Sequence, residues 1–492
     1  MNHKKIVLSI VFNRVLKDPR VLKSARSALE FGYHSHIFGV SENGQCQTKE
    51  ISLIPNSPED KVKIFLASGH SDFRQKYRKL YLQLKQMPVV NHLASLLFSI
   101  YKFVLKKVWQ VKCNLLKSIN VKSTDCEIKF HDCSKSSSDH DNELFNKNQY
   151  DHFSEFARRF IALHQRVKKD LVEKALILKP DIIHAHDMNA IEIATHIKLA
   201  LKKINHQAIV IYDAHEYVAG SELEKDKKAY LLESEAKNVQ FCDRFLTVSQ
   251  ALADKLKSIY PHIKNISVIN NCPYFIPDAP ISLAERSFSR NYSIKKVLGL
   301  NIDQPLVVFS GAVTPGREPA ILVEAIKNLP KFHLAYVAFP SPHLEEIKQL
   351  VTKYFLQDRV FFQEPVPHNQ VTNFLSDADV GAITFTHFSN AEVALPNKIF
   401  DYIHAGIPVV SANTMELQNF INNFPIGNIY QSGDAKSLAN AIETTYRNRN
   451  IHINKVLEIK SQFSWNGQHH ILEDLYSTGE QPIQAIESLQ PF

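Results

Sequence analysis

Apolar runs of strand length alternate with stretches of helical period over most of this chain. Residues 5–12 (KIVLSIVF) read as a buried strand, followed by a loop over 13–20, an amphipathic helix ending near Phe31-Gly32 and a second strand at 34–40. Further on, the pattern predicts a helix over 153–177, a turn at Pro180-Asp181, strands at 182–186 and 209–214, a helix over 228–239, and strands at 245–248 and 266–269 flanking a helix at 251–258. Alternation of this kind covers both faces of a parallel sheet, so the fold class is α/β and the first domain doubly wound. A second series repeats the architecture. Its strands are expected at 305–310, 333–338, 359–362, 380–385 and 407–410, separated by helices at about 320–329, 344–354, 370–376, 396–405 and 435–447. The boundaries implied are a first domain over 1–274, a linker rich in proline and charge over 275–303, and a second domain over 304–460.

Residues 378–412 (ADVGAITFTHFSNAEVALPNKIFDYIHAGIPVVSA without its gaps in pattern: strand, loop, short helix, strand) hold the most chemistry. Pro396 suits a first helical turn and Gly406 with Pro408 a helix stop. Ile399 and Ile403 can face the sheet, while Lys398 and Asp401 share another face. A helix start offers unpaired N–H groups and partial positive charge, so an anionic diphosphate can dock there with Lys398 adding a full charge. Asp401 can accept hydrogen bonds from sugar or ribose hydroxyls. A plain surface ion pair is the competing account of the same two residues.

Composition narrows the class. A chain of 492 residues, 44% hydrophobic and 22% charged, is ordinary globular material, and a net charge of +8 is modest for a dedicated nucleic-acid binder. The six cysteines form no CxxC pair and no signal peptide precedes them, which leads us to expect a cytoplasmic protein. No run approaches the roughly 18 apolar residues of a spanning helix. The charge is unevenly placed: ten lysines and arginines from Arg74 to Lys117 interleave with aromatic and aliphatic residues. That pattern suits either a helix lying on an anionic membrane surface or a basic helical insertion, about 68–150, packed on the first domain. Cys126, His131, Cys133 and His140 follow without a zinc spacing, and no metal is expected.

The remaining candidates sit at strand ends, where doubly wound sheets open their crevice. The first βα loop has no glycine and so is no dinucleotide fingerprint. In SGAVTPGRE (310–318), Gly311 lets backbone approach a ligand and Arg317 can fork onto phosphate oxygens. His215 and Glu216 end the strand at 209–214 and would face that loop from the other domain, His215 as a hydrogen-bond or proton-transfer group. His184 and His186 carry less weight. Two cations and a helix N-terminus around one pocket suit a leaving diphosphate.

Carrying these features, the segments KDPRVLKSARSALEFGY (17–33), PDIIHAHD (180–187), IYDAHE (211–216), CDRFLTVSQALADKL (242–256), VINNCP (268–273), FSGAVTPGRE (309–318), ALPNKIFDYIHAGIPVV (394–410) and FSWNGQHHILEDLY (463–476) resemble the GT-B glycosyltransferases of family 4. The resemblance implies two Rossmann-like domains facing across a cleft, a nucleotide-diphosphate-sugar donor on the second, and a glycan or lipid-linked acceptor on the first, with retention of configuration. It also implies a last segment, 461–492, whose helix crosses back to the first domain. By the same resemblance Arg317, Asn397 and Lys398 contact the diphosphate, Asp401 the donor ribose or diphosphate, and His215 the catalytic cleft. Val393 stands where the family often has a glutamate, with Glu392 one residue away as the nearest substitute for gripping the donor sugar. The reading is a retaining transferase of bacterial surface polysaccharide synthesis, peripheral to the membrane, without nucleic-acid partners. A nucleotide-sugar epimerase of the same fold and a catalytically silent sugar-binding or scaffold subunit are the alternatives.

Overall fold

The computed structural model describes residues 4–13, 15–41, 46–54, 60–68, 150, 152–275 and 292–477. The basic stretch at 74–117, its choice between membrane and packing, and the cysteines and histidines after it lie outside the described residues.

The first sheet has strand order β3-β4-β2-β1-β5-β6-β7-β8. Its strands are β1 Ile6–Val11, β2 His34–Val40, β3 Gln47–Ser52, β4 Lys61–Ala67, β5 Ile182–His186, β6 Ile209–Ala214, β7 Arg244–Thr247 and β8 Ser267–Val268. All neighbours run parallel except β3 against β4. The sequence pattern overlooked β3 and β4. QTKEIS is largely exposed at a sheet edge, where packing asks nothing apolar of it and polar side chains discourage further pairing. In KVKIFLA only Val62, Ile64, Leu66 and Ala67 are buried. The register sets Val11 beside His186 and His186 beside Asp213, so the carboxyl ends of β5 and β6 deliver polar residues to one spot next to the end of β1. Because β1 lies between β2 and β5, the crevice opens there, at a reversal of strand order.

The second sheet has order β11-β10-β9-β12-β13-β14, all parallel: β9 Leu306–Ser310, β10 His333–Val337, β11 Val360–Gln363, β12 Val380–Ile383, β13 Val409–Ala412 and β14 Gly427–Tyr430. Its reversal falls between β9 and β12. Ile294, within the short helix Ile294–Val297, joins the apolar core of this domain, so second-domain structure begins inside the stretch read as linker.

Three helices position the site. Helix α1, Pro19–Glu30, is started by Asp18, whose side chain accepts from the amides of Arg20 and Val21, with Pro19 in the first turn. Helix α2, Asn397–Ala405, buries Ile399, Phe400 and Ile403 and stops at Gly406, where φ is 78°. Its Tyr402 hydroxyl reaches the carbonyls of Val308 (3.2 Å) and Ala382 (3.3 Å) and accepts from the Ser310 amide (3.1 Å), pinning the helix to the ends of β9 and β12. Helix α3, Trp465–Tyr476, returns to the first domain. Trp465 is fully buried there, its indole N–H donating to Ser27 at 2.9 Å and its amide to the Pro273 carbonyl at 2.8 Å. The Tyr476 hydroxyl lies 2.8 Å from Nδ1 of His184. Among the described residues no helix is long and apolar enough to cross a membrane.

Tyr402 fits only because residue 381 is glycine: a Cβ there would stand 2.5 Å from the ring. Gly381→Ala is expected to cost about 1–3 kcal/mol by overpacking. Urea unfolding checks this, and a midpoint equal to the parent's would contradict the packing described.

Candidate active site

A cavity of about 530 Å³ lies between the carboxyl edges of the two sheets. Asp18, His215 and Glu216 line it from the first domain, and Gly311, Arg317, Asn397, Lys398 and Asp401 from the second. Seven of the eight residues singled out from sequence thus meet in one space. Glu392 is not among the lining residues. Its carboxylate contacts Nδ1 of His387 at 2.6 Å and accepts from the Met415 amide at 2.8 Å, starting the helix Met415–Asn423 instead.

The floor is a buried charge cluster. The Arg20 guanidinium forks onto Asp213, Nε to Oδ2 at 2.7 Å and a terminal nitrogen to Oδ1 at 2.8 Å, and donates its other terminal N–H to the Ile269 carbonyl at 2.7 Å. His184, His186 and His215 each place a ring nitrogen 3.4 Å from the same Oδ2. Burial alone would raise the pKa of Asp213, but the Arg20 and His215 charges hold it well below the carboxylate range. The histidines divide. Burial pushes His184 and His186 down, His186 to about 3, so their stacked rings are neutral. His215, partly open to the cavity, also suffers from burial, yet the Asp213 carboxylate raises its pKa above the ordinary value. The trio His184, His186 and Asp213 is close enough to hold a metal ion. It does not suit one, because Arg20 already occupies Asp213 at two points with a full positive charge. Asp187, next to this cluster, adopts a left-handed backbone with φ 68° and donates its amide to the Asp213 carbonyl at 2.8 Å.

The opposite wall is cationic. Lys398 is 5% exposed, its Nζ has no hydrogen-bond acceptor, and it rests 3.6 Å above the centre of the Phe309 ring. Burial, and then Arg317, drive its pKa well below the lysine range. The surface ion pair with Asp401 is therefore not what forms: the lysine is withdrawn into the wall, where burial works against its charge. Asp401, in the same wall, has its pKa raised to about 6 by burial, against the pull of Lys23 and Lys398. Gly311, at φ 126°, keeps the space between the cations open, since a Cβ would meet an Arg317 nitrogen at 3.6 Å and Lys398 Cε at 3.8 Å. The loop is held from β12: the Thr384 hydroxyl donates to the Arg317 carbonyl at 2.5 Å and the Thr386 amide to the Gly316 carbonyl at 3.0 Å. The first turn of α2 lines the cavity with no side chain capping it.

Val393 lines the cavity but offers it only an apolar side chain. It packs in a first-domain cluster with Ile191, Tyr212, Ala214 and Leu252, and its carbonyl accepts from the Ser249 hydroxyl at 2.7 Å. Beside it Asn390 accepts from the Tyr217 amide at 2.9 Å. Sequence reasoning passed over Asp18, Arg20, Lys23 and Asp213 as site residues. The signal for the last was a lone carboxylate closing the apolar run IVIYDA.

Arg20→Met is expected to destabilise the protein by about 3–5 kcal/mol, since it strands Asp213 in the interior. Urea denaturation measures this, and a loss below about 1 kcal/mol would show that the histidines alone satisfy the carboxylate.

The comparisons with known proteins agree with this geometry. The model for glycosyl transferases group 1 matches residues 292–463 and that for glycosyltransferase family 4 matches 133–272, between them more than half of the chain. A D-inositol 3-phosphate glycosyltransferase from Xylanimonas cellulosilytica is 28% identical over 142 residues, 28% of this chain; the match spans 32% of that protein, about a third of its length. A sucrose-phosphate synthase from Thermosynechococcus elongatus superposes with a TM-score of 0.58 at 14% identity, covering 96% of this chain and 98% of the other. HepE from Anabaena, solved in complex with UDP and glucose, gives 0.55 at 14% identity over 96% and 100%. Two matched family models, one on each half, and a shared fold over nearly the full length leave one assignment: the chain belongs to the family 4-like glycosyl transferases of group 1, built on the GT-B fold.

Proposed function

We propose that this protein transfers a sugar, with retention of configuration, from a nucleotide-diphosphate-sugar to a hydroxyl of a glycan or lipid-linked acceptor, in bacterial surface polysaccharide synthesis on the cytoplasmic side of the membrane. The observation that carries the donor is Lys398, an amine held in the cavity wall with no acceptor of its own, beside Arg317 and an uncapped helix start. Such a group waits for an anion. The HepE complex with UDP and glucose supports the same donor class.

As the anomeric C–O bond breaks, its electrons pass to the diphosphate oxygen, whose growing charge Arg317, Lys398 and the first turn of α2 meet in place. Retention brings the acceptor hydroxyl to the face the diphosphate leaves, so the new C–O bond forms there while the hydroxyl proton passes to the departing oxygen. His215, whose pKa Asp213 raises against the effect of burial, is biased toward donating a hydrogen bond into this space and away from withdrawing a proton. Asp401, ionised at neutral pH, accepts from the donor's hydroxyls. The basic residues over 74–117 would hold the enzyme to an anionic surface near a lipid-linked acceptor.

The test is incubation with UDP-glucose and other nucleotide sugars plus glycan or lipid acceptors, reading nucleotide release and product mass. Failure to bind any nucleotide sugar or nucleotide would end the proposal. Arg317→Ala and Lys398→Ala are each expected to lower transfer by about 10²–10³-fold. Because burial pulls the Lys398 pKa down in the empty cavity and a bound anion would raise it again, UDP binding should take up protons and weaken as pH rises. Calorimetry in buffers of different ionisation enthalpy measures that uptake, and it should vanish in Lys398→Met. Recovery on anionic liposomes by flotation should fall when 74–117 is deleted.

A further inference from the structure

The two halves of the cavity differ in charge. Arg317 and Lys398 line the second-domain half. The first-domain half, where the acceptor sits in the glycosyl-transfer reading on which this inference rests, is lined by Asp18, Glu216 and Glu222. Glu222 reaches across the cleft, so that a Cβ on Gly316 would lie 3.5 Å from its Oε2. The cations on this side are committed. Arg20 is forked onto Asp213, and Lys23 donates to Asn271 at 2.7 Å and to the Cys272 carbonyl at 2.5 Å. His215 faces Asp213 at 3.4 Å. Among the described residues, then, the carboxylates of this half outnumber its cations even with His215 charged, and the buried, acceptor-less amine of Lys398 marks the other half as the place for phosphate.

We infer that the acceptor presents an uncharged polyol at the reacting end, a sugar or cyclitol without a phosphate group, and that Glu216 and Glu222 exclude phosphorylated acceptors. Ionised carboxylates accept hydrogen bonds from sugar hydroxyls, which neutral polyols supply in number. A phosphate in the same place meets the like charges of Glu216 and Glu222, the nearest cations, Arg317 and His215, being already drawn to carboxylates, and the low dielectric of a closed cleft enlarges that penalty. Selection is thus made by repulsion as well as by contact.

The protein saturated with UDP is titrated with two matched probes, glucose and glucose 6-phosphate, by calorimetry or ligand-observed NMR. Glucose should bind more tightly than its 6-phosphate, and Glu216→Gln with Glu222→Gln should shift the ratio toward the phosphate by about tenfold or more. Glu222→Gln alone, on the exposed arm of the cleft, keeps the test open if the double variant folds poorly, with a smaller shift in the same direction. An equal response to the two probes, tighter binding of the phosphate by the parent, or a ratio unmoved in the variants overturns the inference while UDP binding leaves the transferase reading standing. Loss of UDP binding itself would overturn that reading, and this inference with it.

Discussion

The buried fork of Arg20 on Asp213 is the constraint on which the cleft depends. It joins the first turn of α1 to the end of β6, and through the Ile269 carbonyl to the segment that leaves the domain. A guanidinium and a carboxylate removed from water recover their hydration only if every oxygen and N–H finds a partner, and here three donors of one arginine are used. The same carboxylate raises the pKa of His215. One ion pair therefore fixes the geometry of the cavity floor and biases the titration of the side chain that looks out from it. Trp465 stands over this arrangement, with Arg20 5.8 Å and Lys23 4.8 Å from the ring centre, so the returning helix α3 seals the cluster from outside.

The facing wall obeys the opposite logic. Lys398 is left without a partner, and burial works against its charge until a ligand arrives. An amine that holds no ion pair in the empty state spends no binding energy on breaking one when an anion binds. Between the two walls the domains touch through Val393, Asn390 and Ser249, by apolar packing and by hydrogen bonds from polar side chains to backbone.

Much of this was legible in the chain. The alternation of apolar runs gave every inner strand but β4, because those strands are buried on both faces and are largely apolar, whereas Lys61–Ala67 carries exposed lysines at two of its seven positions. The glycine-arginine loop and the helix after Pro396 announced themselves by residue types with few other uses. What stayed hidden has physical causes. The edge strand Gln47–Ser52 carries no apolar signature because solvent covers it. Arg20 lies in an amphipathic helix where an arginine normally faces water, and only the third dimension sets Asp213 opposite. Glu392 looked like a substitute for a missing carboxylate, but a shift of one position turns a side chain on that short helix away from the cavity and toward the amide of Met415.

The contact of Tyr402 with Gly381 has a bearing on inheritance. The tyrosine hydroxyl is held by backbone groups, which no side-chain replacement can rewrite, and its ring occupies the volume a Cβ would need. The two positions, on different elements and twenty-one residues apart, behave as a single character: a methyl group gained at one demands a smaller ring at the other. A chimera that exchanges the strand without the helix would separate them, and would move the phosphate-facing helix without altering any residue that touches a substrate.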